Sequence, residues 1–194
     1  MRLFVVVLSA MILPIFAAPT SAANQPKPNN CPGASIISTQ QISVDGNNVT
    51  LTHFSCGAVT PAVEARSTLL QGRDADECTT SSTECKCGES CIATCNADTA
   101  LPPNPSNCAT ITQAIQIIGQ INGIGLTFFV DPGDSVLFSF VDCAFEWDNI
   151  GPNTLEYCWD DFVRTENAIV SSCTGVNGNT GGLCRSIANE WQST

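Results

Sequence analysis

Five of the chain's twelve cysteines fall within eighteen residues, CTTSSTECKCGESCIATC, from Cys78 to Cys95. What such density means depends on the compartment. Arg2, the apolar run LFVVVLSAMILPIF and the small residues through Thr20-Ser21-Ala22 read as a secretory signal peptide over residues 1–22, since the run is too short to span a bilayer as a helix. The mature chain is therefore expected to be secreted and extracellular, with no membrane association. In that oxidising setting Cys31, Cys56, Cys78, Cys85, Cys87, Cys91, Cys95, Cys108, Cys143, Cys158, Cys173 and Cys184, an even number all downstream of the signal, imply six disulfides. A zinc site favours two separated CxxC-type pairs. The spacing here is C-x-C-x3-C-x3-C, and the lone histidine, His53, is distant, so neither a metal nor any other cofactor is expected.

Charge narrows the partners. Eighteen acidic residues face seven basic ones, and no Lys or Arg occurs between Lys86 and Arg164. A phosphate backbone or an anionic membrane would be repelled, which excludes nucleic-acid binding. Asn48-Val49-Thr50 is an N-glycosylation sequon with Asn48 as acceptor, whereas Asn104 is followed by proline.

Two β-rich runs, IISTQQISV and NVTLTHFS, flank Asp45-Gly46-Asn47, a hairpin signal. A Cys31–Cys56 bridge across the strand ends would add roughly 3 kcal/mol in the chain-entropy model. Residues 23–56 therefore read as an amino-terminal β-hairpin segment, residues 57–76 as a Ser, Thr, Ala and Gly-rich linker, and residues 77–194 as a cystine-rich domain. In that domain Cys91 and Cys95 are four apart, as on one face of a short helix beginning near Ser90. CATITQAIQIIGQI is the clearest helix, with Cys108, Ile111, Ile115 and Ile118 on one stripe, and Asn107 or Thr110 able to cap it.

LTFFV and VLFSFVDCAFEW flank Asp131-Pro132-Gly133-Asp134, which predicts an antiparallel hairpin. Along the second run Asp142, Glu146 and Asp148 alternate with Cys143, Phe145 and Trp147, so the strand is expected to leave the core and present carboxylates. DDFVRTENAIVSSC suits a second amphipathic helix with Asp160 and Asp161 in its first turn, and LCRSIANEW a last strand. The order predicts an antiparallel sheet covered by helices, α+β by class and rich in disulfides.

Catalysis finds little support. A Ser-His-Asp site fails because His53 is the lone imidazole and no serine lies in a G-x-S-x-G turn. Asp142, Glu146, Asp148, Glu156, Asp160 and Asp161 could furnish a glycosidase pair, but that needs two carboxyls across a cleft, and a solvated face or a helix dipole accounts for the same residues. No Ca²⁺ loop or Walker pattern is present. Carbohydrate binding fits better, because a sugar site combines an aromatic face with planar polar groups. In WDNIGPNTLEYCWDD, Trp147, Tyr157 and Trp159 are interleaved with Asp148, Asn149, Asn153, Asp160 and Asp161, and these eight are the candidate glycan-binding residues.

The ordered set CKCGESCIATC, CATITQAIQII, VDCAFEW, EYCWDD and GGLC followed by Trp191 resembles the glycan-binding Y-three-like domain of secreted mushroom lectins, from Cys78 to Trp191. The resemblance implies an α/β/α sandwich around an antiparallel sheet, a homodimer formed through sheet edges, and non-enzymatic binding of fungal or foreign glycans or glycoproteins, fucosylated and GalNAc-containing. The alternative is a small secreted cystine-rich effector, toxin or protease inhibitor acting through protein contacts. Five early cysteines, Cys78 to Cys95, and five later ones, Cys108 to Cys184, permit each to cross-link outward, local bridges being the other option.

Overall fold

The computed structural model describes residues 33–56, 78, 84–96, 101–120, 126–176 and 179–194; the signal segment, Cys31 and the linker over 57–76 lie outside them. Β-branched runs around Asp45-Gly46 give β1 (Ser35–Val44) and β2 (Asn47–Ser55). Asp45 and Gly46 both take positive φ, 49° and 82°, the conformation a two-residue hairpin turn of matching twist demands. The hairpin does not stand apart. β2 pairs antiparallel with β6 (Asp134–Phe140), and the large sheet runs in the order β1, β2, β6, β7 (Cys143–Asn149), β10 (Trp191–Ser193), β9 (Gly182–Ser186), β4 (Cys91–Cys95).

A second sheet orders β3 (Glu84–Cys85), β8 (Leu155–Cys158) and β5 (Thr127–Val130). Helix α1 (Pro105–Gln120) buries Cys108, Ile111, Ala114, Ile115 and Ile118 against β1, β2, β6 and β7, while α2 (Trp159–Ile169) packs on α1, β8 and β9 and continues as a π-helical stretch, Val170–Val176. The architecture is α+β, mostly antiparallel and disulfide-rich. Among the described residues no helix is long and apolar enough to cross a membrane.

Four local expectations change. Cys91 and Cys95 lie on a strand, because Ile92 and Thr94 between them are β-branched and β9 offers an edge to pair with; a spacing of four keeps both on one face of a strand as well. Asp131-Pro132-Gly133-Asp134 does turn, with Asp134 N donating to Asp131 O at 2.9 Å, but it carries the chain between sheets, β5 pairing with β8 and β6 with β7. The run VLFSFVDCAFEW is two strands joined by Val141-Asp142, and LCRSIANEW is likewise broken into β9 and β10. Asn104, not Asn107 or Thr110, caps α1, its Oδ1 accepting from Ser106 N at 3.0 Å, with Pro105 in the first helical position.

The Val141-Asp142 turn is costly for its sequence. Val141 is exposed at φ 55°, a region β-branched residues avoid. Asp142 offsets part of this: it accepts from Asn104 N at 3.0 Å and Asn107 Nδ2 at 2.6 Å, and those bonds hold its carboxyl below the usual range. Val141→Asn is expected to raise stability by about 0.5–1 kcal/mol, read as a higher urea midpoint with unchanged slope.

Five disulfides join described residues: Cys78–Cys85, Cys87–Cys158, Cys91–Cys184, Cys95–Cys173 and Cys108–Cys143. Three early cysteines thus cross-link outward, Cys78 and Cys85 close locally, and Cys108 and Cys143 pair with each other. Cys56 is disulfide-bonded, and its expected partner Cys31 lies outside the described residues.

Candidate functional site

The interleaved segment from Trp147 to Asp161 does not form a surface. Trp147, Tyr157 and Trp159 are buried in an aromatic core: Trp159 stacks on Phe128 at 4.2 Å, and Tyr157 lies 5.1 Å from both Trp147 and Trp191. The alternation that suggested a platform instead supplies one inner layer, because β7 and β8 are covered on both faces. Burial also pushes the Tyr157 hydroxyl above its ordinary pKa. No ring of the three is free to meet a sugar.

The polar members are spent on structure. Asp148 is buried and accepts from Ser135 Oγ and from Gln192 Nε2 at 2.9 Å. Asn149 donates to the carbonyls of Val130 and Asn153, each at 2.8 Å, and accepts from Gly151 N, so its amide builds the loop after β7. Asp161 accepts from Gly88 N and Arg164. Asn153 and Asp160 are exposed; Asn153 meets Asn149 through its backbone carbonyl, while its side-chain amide donates to Glu84 at 3.3 Å. Of the six carboxylates considered for hydrolysis, Glu156 is buried on β8, where it accepts from Thr127 Oγ1 at 2.8 Å.

A different concavity exists where the large sheet splits. It lies between Cys143–Phe145 of β7 and Gly181-Gly182 at the start of β9, with Thr194 on its wall. The slot left there has a volume of about 290 Å³, near the lower end of small-molecule sites. Its polar lining is Asn96, Asp142, Glu146, Glu166, Thr174, Thr180 and Thr194, its walls include Ala144, Gly181 and Gly182, and no Lys, Arg or His is among the lining residues.

Glu166 is the residue the sequence reading passed over. It sits within the apolar stripe Phe162, Val163, Ile169 of α2, and a carboxylate on such a stripe was the available signal. Ser193 Oγ touches both the Glu146 carbonyl, at 3.0 Å, and a carboxyl oxygen of Glu166. A hydroxyl has one proton to give. Both contacts are satisfied when Glu166 is protonated and donates to Ser193, which then donates to Glu146. Burial supports this, pushing the Glu166 pKa up to about 8 even though the bond to Ser193 lowers it, with Asp148 adding repulsion. Glu166 thus enters the slot as a neutral acid at neutral pH.

Gly182 is required by close packing at the slot wall. A Cβ there would lie 2.7 Å from Cys173 Sγ and 2.9 Å from the Thr94 carbonyl. Gly182→Ala should cost about 1–3 kcal/mol in urea unfolding, because neither a disulfide nor a paired strand can step aside.

No family model matches the chain, and no curated protein or solved structure matches it. The slot is therefore interpreted from its own chemistry. Asp142, held ionised, accepts hydrogen bonds; Asn96 and the threonines donate and accept; Glu166, whose one proton goes to Ser193, has acceptor capacity left. At the opposite end of β10, Lys86 is buried among Glu84, at 2.7 Å, Glu89 and Glu190, and Glu89 also accepts from Trp191 Nε1. Burial works against the Lys86 charge, but the bonds to Glu190 and Glu84 hold its pKa above the ordinary value. That cluster sets one lysine among three carboxylates and fastens β3 to the β9–β10 turn.

Proposed function

We propose that the chain is a secreted, non-enzymatic carbohydrate-binding protein whose sugar site is the slot beyond β10. The observation that carries this reading is the lining: carboxylate, amide and threonine groups around a glycine and alanine wall, with no cationic group. Such groups match the hydroxyls of a neutral sugar and disfavour an anionic one. The motif set from Cys78 to Trp191 adds the expectation of a fucosylated, GalNAc-containing ligand. An α/β/α sandwich and a homodimer through sheet edges belong to the same reading. β1 is the outer strand we assign to the dimer, being ten residues long with Ile36 and Ile37 exposed. An unpaired edge of that length is a ready template for a second strand.

The test is a glycan array followed by calorimetry on disulfide-intact protein. Saturable binding of neutral glycans, recovered unchanged after prolonged incubation, is the expected result; absence of saturable binding to any glycan overturns the reading.

A second reading, a cystine-rich effector, toxin or inhibitor, is favoured by exposed apolar residues on both outer strands, Ile36 and Ile37 on β1 and Ile92 on β4. It predicts effects on target cells that free glycans do not compete away.

A further inference from the structure

The chain's densest cysteine run brings two disulfides into contact. Cys78–Cys85 and Cys87–Cys158 are separate bridges, yet Cys78 Sγ lies 3.5 Å from Cys87 Sγ. The sulfurs of Cys78, Cys85 and Cys87 all lie within 4.8 Å of one another, and no other three cysteine sulfurs among the described residues do so. Cys78 and Cys85 are partly exposed, whereas Cys87 and Cys158 are buried. All four sulfurs are committed to disulfides, so the group offers no thiolate to a metal.

We infer that these residues form a thiol–disulfide exchange site that takes an external dithiol at Cys78–Cys85 and passes the opening inward to Cys158. In the first step a thiolate of the dithiol attacks the outer bridge, and its second thiol resolves the mixed disulfide. Cys78 and Cys85 gain two electrons and two protons, and the dithiol leaves as its own disulfide. In the second step the Cys78 thiolate attacks Cys87 Sγ, with which it is already in contact. A Cys78–Cys87 bond forms, the Cys87–Cys158 bond breaks, and Cys158 leaves as a thiolate that takes up the proton. This second step is an isomerisation and needs no oxidant.

The surrounding bonds let it proceed in a folded chain. When Cys158 is released, the segment carrying Cys87 is still held by Gly88 N donating to Asp161, by Lys86 N donating to the Glu156 carbonyl at 2.8 Å, and by the Lys86 contacts with Glu84 and Glu190. Cys91–Cys184 and Cys95–Cys173 continue to join the same two regions. Cys158 ends β8 and immediately precedes α2, so its release frees the start of that helix from a covalent tie.

The test maps thiols by acid-quenched alkylation and peptide mass spectrometry on the full secreted chain. Cys85→Ser leaves Cys78 as a thiol beside Cys87 with no reductant needed; label on both Cys78 and Cys158, together with a Cys78–Cys87 linked peptide, is expected. Cys78→Ser should carry label on Cys85 alone. In the unsubstituted protein treated with limiting dithiothreitol, the first two-thiol species should be labelled at Cys85 and Cys158. Label confined to Cys78 in Cys85→Ser, or a first two-thiol species labelled at any pair other than Cys85 and Cys158, overturns the assignment. Where a variant is not secreted, the result for the unsubstituted protein decides.

Discussion

Glu166→Gln should make the protein more stable at pH 8 by several kcal/mol and flatten its stability between pH 7 and 8. Glu166 is fully buried, and its folded pKa of about 8 stands above the ordinary value of 4.5. The folded state therefore holds a proton that the unfolded chain releases. Its contribution is fully present below the unfolded pKa and is lost as pH rises through the folded one, at about 1.4 kcal/mol per pH unit. His53 acts in the opposite direction: burial lowers its pKa, although Asp134 raises it, so it favours the folded state as pH rises to about 6.5 and then contributes no further slope. The interval from pH 7 to 8 thus isolates Glu166. A glutamine amide can donate to Ser193 as the protonated acid does, without the titration. Urea unfolding at pH 7 and 8 for both proteins makes the comparison.

The second large effect belongs to three cystines that join the same two stretches. Cys87–Cys158, Cys91–Cys184 and Cys95–Cys173 join one stretch, 87–95, to another, 158–184. Whichever forms first closes a long loop; the next closes a far shorter one. With Cys95–Cys173 in place, Cys91–Cys184 adds a loop of only about fifteen residues, worth about 3 kcal/mol in the chain-entropy model. Removing that one bridge by paired Cys→Ala changes should therefore cost about 3 kcal/mol, not the larger amount its sequence separation suggests. Removing all three should cost about 10 kcal/mol, within the whole stability of an ordinary domain, and leave the chain unfolded. Near-ultraviolet circular dichroism and urea titration of each variant check both magnitudes.

What was legible in the sequence follows from which signals are local. The stripe of Cys108, Ile111, Ile115 and Ile118 marked α1, and Asp45-Gly46 marked the β1–β2 turn, because helical period and positive φ are properties of a few adjacent residues. The Val141-Asp142 turn was invisible, since a β-branched residue in the left-handed region is a local misfit held by distant partners, Asn104 at the cap of α1 and Asn107 within it. β5 was assigned to the wrong neighbour because strand partnership is a long-range choice; the turn at Asp131-Pro132-Gly133-Asp134 says that the chain bends, not what it meets. The aromatic segment misled for a related reason. Alternation tells two faces apart but not which one water reaches, and here the second sheet and both helices contribute to the core around Trp147 and Tyr157. The slot was hidden entirely, since Asp142, Gly181 and Glu166 converge only where β10 stops.

The central claim is that a neutral sugar binds in that slot, and Ala144 gives direct access to it. Ala144 is exposed on β7 and lines the cavity, so Ala144→Trp should fill the space without disturbing the core. Calorimetric titration of both proteins with a fucosylated, GalNAc-containing glycan is the most direct test. Saturable binding to the unsubstituted protein is expected, with at least about tenfold weaker binding, some 1.4 kcal/mol, to Ala144→Trp at unchanged urea midpoint. Equal affinity for the two proteins, or no binding to either, would contradict it.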